Sequence, residues 1–274
     1  IIIFTDKVFF HDINKDIKIF GDKITYNKNK DLIFSNGPTK INIENSYAIE
    51  SSDIFYDRKS KLIYSDKETF INDRENNFYD LKEKFKFDIV KEIIKSKSSV
   101  IIDKNNNQYI FEDLIINLKN NEIAGNEIKI NFRDDYFNNE KNDPMLRGRS
   151  GHSDEDELKI YKAVFSTCNI KEKKCRGWEL NSEEFNHDKK KKIFEYKNSW
   201  FKMFDYKLFY LPYFNHPDPT VKRKSGFLTP SYSSSASLGT SINFPYFKII
   251  DVDKDITLSP RYYADKSFLL QNEY

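Results

Sequence analysis

Residues 24–37, ITYNKNKDLIFSNG, decide the fold. The apolar side chains of Ile24 and Tyr26 alternate with polar ones, a run of Asn, Lys and Asp follows, and a second apolar run then begins. Successive side chains of a strand point to opposite faces, so each apolar run predicts a strand with one apolar face. The polar run between them predicts the turn of a β-hairpin.

The same plan recurs along the chain, in residues 9–22, 54–67, 114–127 and 184–198. Its anchoring residues, where the apolar run meets the polar one, are Asp12, Asn27, Asp57, Asn117 and Asp188. The first three separations are 15, 30 and 60 residues, which fits a repeating unit of about 15 residues, one short strand with its turn. Many such strands form a sheet with one apolar face, and that face has to be covered by a second sheet or by a ligand.

The composition excludes several classes of function. Lys and Arg number 45 against 43 Asp and Glu, and a net charge of +2 gives no reason to expect a nucleic-acid partner. No stretch reaches the roughly 18 apolar residues of a transmembrane helix, although a transmembrane strand needs only about 10 alternating residues. The chain starts without Met and ends within a strand-like run, so we interpret it as part of a longer protein.

Catalytic and metal-binding patterns are absent from the sequence. The four histidines form neither an HExxH motif nor a Ser-His-Asp arrangement, so we expect no enzyme, no cofactor and no metal site. The two cysteines, Cys168 and Cys175, lie in a predicted turn between two strands, and such a turn can bring them within the ~5–6 Å that a disulfide requires. Two buried free thiols are the alternative.

Two segments interrupt the repeats. Residues 133–158 are polar and predict a long exposed loop. Residues 210–232, YLPYFNHPDPTVKRKSGFLTPSY, contain four prolines and the basic cluster 222–224, whose side chains either bind phosphates or form a solvated turn. Strand-like alternation resumes after this second segment.

This second segment carries a resemblance to a known family. With Phe244-Pro245-Tyr246 and the Thr-Leu-Ser-Pro run that follows Asp255, it resembles the LptD family (also called OstA) of lipopolysaccharide-assembly proteins. Trp178, ten residues after Cys168, fits the same family, and the ordered match covers roughly 147–274. Over 1–132 the likeness rests on the repeats, which also resemble the periplasmic bridge protein LptA.

The resemblance implies an all-β protein. Residues 1–220 would form a periplasmic β-jellyroll, and residues 221–274 the first strands of an outer-membrane β-barrel. The chain would be located in the outer membrane with its N-terminal domain in the periplasm. It would transport lipopolysaccharide without catalysis: acyl chains would slide along the apolar jellyroll groove and leave through a lateral gate in the barrel. The implied partners are lipopolysaccharide, an LptE-type lipoprotein plug and an LptA-type bridge.

The resemblance also assigns site residues. Alternating apolar positions of the strands would line the lipid groove: Ile24, Tyr26, Ile54, Tyr56, Leu114, Ile116, Phe194, Tyr196, Phe209 and Leu211. Pro230 and Pro245 match the prolines beside the lateral gate, where each removes one ladder donor. Cys168 matches a cysteine that the family joins to a distant barrel cysteine, and Cys175 lies outside that pattern. A soluble LptA-like lipid-binding module and a carbohydrate-binding β-sandwich are the alternative interpretations.

Overall fold

A computed structural model describes residues 1–43, 47–73, 76–133, 144–167, 177–218, 220–221, 223–228, 231–235, 239–265 and 267–274. Every regular element within these ranges is a β-strand, so the predicted all-β class is confirmed. The described residues include no helix that is long and apolar enough to cross a membrane.

The chain divides into two compact units, Ile1–Asp218 (unit 1) and Pro219–Tyr274 (unit 2). The strands of unit 1 are β1 (Ile2–Asp12), β2 (Ile17–Asn27), β3 (Leu32–Ile43), β4 (Tyr47–Asp57), β5 (Leu62–Ser65), β6 (Thr69–Asn72), β7 (Phe78–Asp88), β8 (Ile93–Ile102), β9 (Gln108–Asn117), β10 (Glu122–Asn131), β11 (Met145–Ser153), β12 (Glu157–Ser166), β13 (Trp178–Asp188), β14 (Ile193–Met203) and β15 (Tyr206–Pro217). Those of unit 2 are β16 (Gly226–Phe227), β17 (Ser231–Ser235), β18 (Gly239–Asn243), β19 (Tyr246–Asp251), β20 (Lys254–Tyr263) and β21 (Phe268–Glu273).

Unit 1 is one antiparallel sheet in which sequence neighbours are also sheet neighbours. The exception is that β5 and β6 share the position between β4 and β7. The long loop predicted at 133–158 is wrong in part, because Met145–Ser153 forms β11 and pairs with both β10 and β12. Glycine makes this strand possible: a Cβ atom at Gly148 would lie 2.0 Å from Ile160 Cγ2 on the neighbouring strand.

The anchoring residues of the sequence repeat each stabilise a hairpin turn. A side-chain oxygen of Asp12, Asn27, Asp57, Asn117 or Asp188 accepts a hydrogen bond from a backbone N–H two or three residues later. Asp and Asn favour turns for this reason, since their short side chains hydrogen-bond to the nearby backbone. Asp88 and Asp154 form two further turns of the same kind, which the repeat did not predict.

A line of backbone irregularities, here named the corner, crosses the sheet at mid-strand. The pairing register shifts between Thr5 and Val8, between Gly21 and Lys23, between Ser35 and Pro38, and between Glu83 and Lys86. The non-glycine residues with positive φ along this line are Asp6, Lys7, Asp53, Lys84, Ser98, Glu127, Lys162 and Asn198. Left-handed residues and bulges between two extended halves bend each strand.

The corner divides the sheet into two arms that face each other. The first arm contains the strand halves that end beside Asp12, and the second arm those that end beside Tyr56. Rings from strands that are not sheet neighbours meet across the interior: the centroids of Tyr47 and Phe87 are 6.4 Å apart, and those of Phe165 and Tyr196 are 6.2 Å apart. The apolar face of the single sheet is therefore covered by the sheet itself.

Small hydroxyl residues lie on the inner side of the corner, where the arms leave little space. The hydroxyls of Ser35 and Thr39 are 2.7 Å apart, as are those of Ser182 and Ser199, and all four residues are buried. Each hydroxyl thereby gains the partner that a buried polar group requires. Farther from the corner, the inner face consists mostly of Ile, Leu, Phe and Tyr.

Unit 2 is a meander of four strand positions. β16 and β17 together form the first and pair with β19 and β18, which together form the second. β20 pairs with β18 and β19 on one edge and with β21 on the other. The assignment of unit 1 to a jellyroll and of unit 2 to the start of a barrel remains a prediction.

We expect Asp57→Ala to lower the free energy of unfolding by about 1–2 kcal/mol, because two turn N–H groups, of Lys59 and Ser60, lose their acceptor. Urea unfolding of the purified chain measures the change. Lys59→Ala alters the same exposed turn without removing a hydrogen bond acceptor, and we expect a change below about 0.5 kcal/mol. Equal losses in the two variants would contradict this role of Asp57.

Candidate functional site

The predicted groove residues lie on the inner face of unit 1. Seven of them are buried in the core between the arms: Ile24, Ile54, Tyr56, Leu114, Ile116, Phe194 and Tyr196. Tyr26 and Leu211 are partly buried and pack against this core. The structure thus brings these side chains together on one continuous apolar wall, and whether the wall binds lipid remains a prediction.

Alternation along β14 sorts the two faces as the sequence indicated. Phe194 and Tyr196 are buried inside, whereas Glu195 and Lys197 lie on the outer face and bind Tyr213 and Glu184. The Tyr196 hydroxyl lies 3.0 Å from His216 Nε2, so its polar end is satisfied within the apolar wall.

The wall is uncovered at β15, the last strand of the sheet. Phe209 stacks on the partly buried Phe201, with ring centroids 4.8 Å apart, and yet Phe209 is 48% exposed. The reason is that β15 has a neighbouring strand on one side only, so its inward side chains lie at the border of the core and are covered from one side. The interior of unit 1 is therefore accessible from this edge.

The free ends of the two arms form the mouth of the bent sheet, and a polar cluster closes it near the N-terminus. Asp12, at the end of the first arm, accepts hydrogen bonds from Tyr56 Oη (2.9 Å) and Arg58 Nε (3.2 Å) of the second arm. Arg58 also donates to Asp31 Oδ1 (3.0 Å), as does Tyr26 Oη (3.0 Å). We name these five residues the mouth latch.

The latch holds a buried charge in its ionised form. Burial alone raises the pKa of Asp12, which is only 4% exposed, but the hydrogen bonds from Tyr56 and Arg58 and the charge of Arg58 outweigh it. The pKa of Asp12 therefore lies below its ordinary value of 3.8. Burial and the bond to Asp12 raise the pKa of Tyr56, so the phenol stays a donor.

Farther along the mouth the arms leave a cleft of about 740 Å³. The first arm contributes Tyr47 and Tyr79, and the second arm contributes Ile116, Leu118 and Ile123. Ile116 belongs to the inner wall, so the cleft leads from solvent to the core.

The rim of the cleft is polar and carries both signs of charge. Lys104 and Lys189 line it together with Asp73, Asp154 and Glu155. Burial lowers the pKa of the Lys189 ammonium, which lies 2.9 Å from Ser153 Oγ. An apolar floor beneath a polar, charged rim suits an amphipathic ligand.

One face of unit 2 carries a row of exposed apolar and aromatic side chains. One row crosses all four strand positions through Tyr232, Ile242, Tyr262 and Phe268, and all four are exposed. On the opposite face the hydroxyls of Ser233 and Ser241 are 2.9 Å apart, and Arg261 donates to Ser233 Oγ at 3.3 Å. Apolar and polar side chains alternate in this way along transmembrane β-strands.

Prolines interrupt two neighbouring seams of unit 2. Leu228 N–H donates to the Pro245 carbonyl (2.8 Å), and Phe244 N–H donates to the Pro260 carbonyl (3.1 Å). Proline has no N–H with which to return the second bond of either pair. Pro245 was a predicted gate residue, and Pro260 extends the same feature to the next seam.

Several predicted residues lie outside the described residues: Pro230, Cys168, Cys175 and Lys222. Of the basic cluster, Arg223 is described, and it forms an ion pair with Asp255. Within the described ranges no group of three His, Cys, Asp or Glu side chains is arranged to hold a metal ion.

Sequence reasoning missed most of the mouth latch. Asp12 had a signal as a turn anchor, but its second role, as acceptor for the opposite arm, depends on the bend of the sheet. The alternation assigns Tyr56 to the wall as an apolar side chain and gives no role to its hydroxyl. Arg58 and Asp31 carried no signal among so many charged residues.

We expect the latch to give stability that acid removes. The folded-state pKa of Asp12 is lowered, so its contribution is present above pH 3.8 and is lost as the pH falls through the lowered pKa. Asp12→Asn should lower the free energy of unfolding by about 1–3 kcal/mol at pH 7 and by less near pH 3. Denaturant unfolding from pH 7 to pH 3 measures the difference, and a constant difference over this range would contradict the assignment.

Several known proteins are similar to part of this chain. Over 134 residues, the chain is 30% identical to the LPS-assembly protein LptD of Nitrosococcus oceani. The aligned stretch covers 48% of this chain and 18% of that protein. The chain is 26% identical over 159 residues to LptD of Idiomarina loihiensis (56% and 20%), and 35% identical over 121 residues to LptD of Pseudoalteromonas translucida (44% and 16%). No protein-family model matches the chain.

The matched part spans only 16–20% of the length of these three relatives. The all-β fold and these relatives agree with the resemblance that the sequence motifs indicate. Over about half of its length, this chain is thus similar to the LPS-assembly protein LptD.

Proposed function

We propose that this chain takes part in lipopolysaccharide assembly at the outer membrane. The observation that carries the proposal is the similarity of about half of the chain to several LPS-assembly proteins LptD. The apolar wall of unit 1 and the two-faced sheet of unit 2 support it, because the first suits acyl chains and the second suits a bilayer. The role is transport, and no catalytic step is assigned to the chain.

Unit 1 would act as a periplasmic jellyroll that shields acyl chains from water. Burying apolar surface is favourable by roughly 25 cal/mol per Å², so an apolar track lowers the free-energy cost of moving these chains between membranes. The inner side chains pack against one another in the closed structure, so an acyl chain has to part the arms. The cleft at the mouth is where this parting is easiest, since the arms are already separated there.

Unit 2 would form the first strands of an outer-membrane barrel. Its exposed row of Tyr232, Ile242, Tyr262 and Phe268 would face lipid, and its serine- and arginine-bearing face would line the lumen. The partners of such an assembly would be lipopolysaccharide itself, an LptE-type lipoprotein plug and an LptA-type periplasmic bridge. The membrane location follows from the same assignment, with unit 1 in the periplasm.

The proline-interrupted seams would favour lateral opening. A closed barrel has every backbone group paired, so parting two strands in lipid is costly unless bonds are already missing. Pro245 and Pro260 each remove one bond from a pair. Pro230, the other proline that the resemblance assigns to the gate, lies outside the described residues.

A soluble LptA-like module is the alternative that unit 1 alone would suit. Unit 2 argues against it, because a soluble module gains nothing from a row of exposed aromatic and aliphatic side chains.

Photocrosslinking tests the acyl-chain track. We expect p-benzoylphenylalanine in place of Tyr56 or Phe194, both on the inner wall, to form lipopolysaccharide adducts in cells at several times the yield from outer-face positions. Phe55 and Glu195 are the matched outer positions, each directly next to an inner one in the sequence. Adducts detected by immunoblotting only from the outer positions would contradict the track.

Substitution of a single proline tests the seam. Pro245→Ala supplies an N–H that can return the bond to Leu228, which strengthens the first seam by about 1 kcal/mol in water and more in lipid. We expect less lipopolysaccharide at the cell surface at an equal level of the protein, measured by surface labelling. Pro260→Ala adds a donor one seam farther along and is the matched control, for which we expect a smaller loss. Unchanged surface labelling in Pro245→Ala would contradict the gate role.

A further inference from the structure

The hairpin that connects β14 and β15 differs from the other turns of unit 1. Its tip reads Met203-Phe204-Asp205-Tyr206, with Phe204 63% and Tyr206 75% exposed. Leu208, two residues farther on, lies at a register shift of the β14–β15 ladder and is also exposed. Four large apolar or aromatic side chains thus stand in solvent within six residues.

Local stability does not explain the phenylalanine. Phe204 (φ 49°) and Asp205 (φ 67°) are both left-handed and form the two-residue loop between paired Met203 and Tyr206. Such loops favour Asn-Gly or Asp-Gly, because a bulky side chain is strained at positive φ. Among the described residues with positive φ, Phe204 is the only one with a large apolar side chain.

Strain of this kind is retained where the side chain has a use. Every other non-glycine residue in the left-handed region of this chain, within the described ranges, is Asp, Asn, Lys, Glu or Ser. The chain therefore uses polar residues wherever a left-handed turn serves the fold alone.

Behind the tip the outer face carries amphipathic side chains. Trp200 and Tyr210 pair across the two strands with ring centroids 5.3 Å apart, and the Lys207 ammonium lies 4.9 Å from the centroid of the Trp200 ring. The Tyr210 hydroxyl donates to Asn198 Oδ1 (2.8 Å), and Asn198 is a polar residue of the corner, two positions before Trp200. From the tip inwards the order is apolar, then amphipathic aromatic with lysine, then polar.

This order matches the profile of a membrane–water interface. Apolar side chains enter the acyl region, Trp and Tyr lie at the level of the head groups, and lysine extends its ammonium towards water or lipid phosphate. We propose that the β14–β15 hairpin inserts its tip into the surface of a phospholipid bilayer and so anchors the last strand of unit 1 to the membrane.

A lipid surface explains the hairpin better than a protein partner does. Lys202 and Lys207 pair across the two strands directly behind the apolar tip, where anionic head groups would lie. A phospholipid bilayer is also what the proposed location of the chain, at the outer membrane, would supply. In this last respect the inference rests on the proposed function.

Photocrosslinking in reconstituted membranes tests the inference. The full-length protein is reconstituted into liposomes of phosphatidylethanolamine and phosphatidylglycerol, with p-benzoylphenylalanine in place of Phe204. After irradiation, mass spectrometry measures phospholipid adducts. We expect at least about fivefold more adduct from position 204 than from position 90, which is the matched control because Val90 is 64% exposed at the tip of the β7–β8 hairpin.

A second variant separates lipid contact from folding. Phe204→Asn places a favoured residue in the left-handed turn, so we expect it to fold at least as well as the wild-type chain. In this background p-benzoylphenylalanine in place of Tyr206 should give several-fold fewer phospholipid adducts than in the wild-type background. Unchanged adduct formation at this position would contradict insertion of the tip.

Flotation of the liposomes distinguishes failure of the hairpin anchor from failure of the membrane role of unit 2. Protein that does not float with the liposomes contradicts both the membrane role of unit 2 and the hairpin anchor. Protein that floats, but gives equal adduct yields at positions 204 and 90, contradicts the anchor alone.

Discussion

Unit 1 depends on the bend at its corner. A single sheet with one apolar face has no partner sheet, so each strand must fold that face against itself. Left-handed residues such as Asp53 and Lys84 make the bend, and small hydroxyl pairs such as Ser182 and Ser199 fill the inner side of it. Among the described residues, backbone hydrogen bonds join neighbouring strands of the sheet, and none crosses the mouth. The mouth is therefore the direction in which the structure is easiest to open, because only side chains join the arms there.

The same topology leaves both ends of the sheet unpaired. β1 and β15 each have one neighbour, and a long exposed edge normally invites uncontrolled pairing with other chains. Pro212 lies at the middle of β15, opposite the corner residue Asn198, and a proline within a strand is typical of an edge position. At this end the apolar wall reaches solvent through Phe209, so in the proposed function this edge would be an outlet of the interior.

Much of this architecture could be predicted from the sequence, for a local reason. Alternation fixes the face of each side chain, and the Asp or Asn before each polar run fixes the turn, so Ile54, Tyr56, Phe194 and Tyr196 could be assigned to one wall. The corner could not be predicted, because its residues are ordinary polar ones within strands and their left-handed backbone leaves no pattern. The latch depends on the bend at the corner, so it could not be predicted either. The glycines of β11 predict a loop when the sequence is taken alone, but in the structure they allow close packing between strands.

A polar latch would suit the proposed function, in which the mouth has to open. Parting an apolar seam exposes its surface to water and loses the full transfer free energy. Parting Asp12 from Tyr56 and Arg58 exchanges protein hydrogen bonds for hydrogen bonds with water, so each bond contributes only about 1 kcal/mol net. The latch therefore holds the two arms in one closed position, and little free energy is needed to open it. The apolar wall behind it, once parted, recovers the lost transfer free energy only by packing against another apolar surface. In the proposed function, this asymmetry would favour an acyl chain over water as the molecule that enters between the arms.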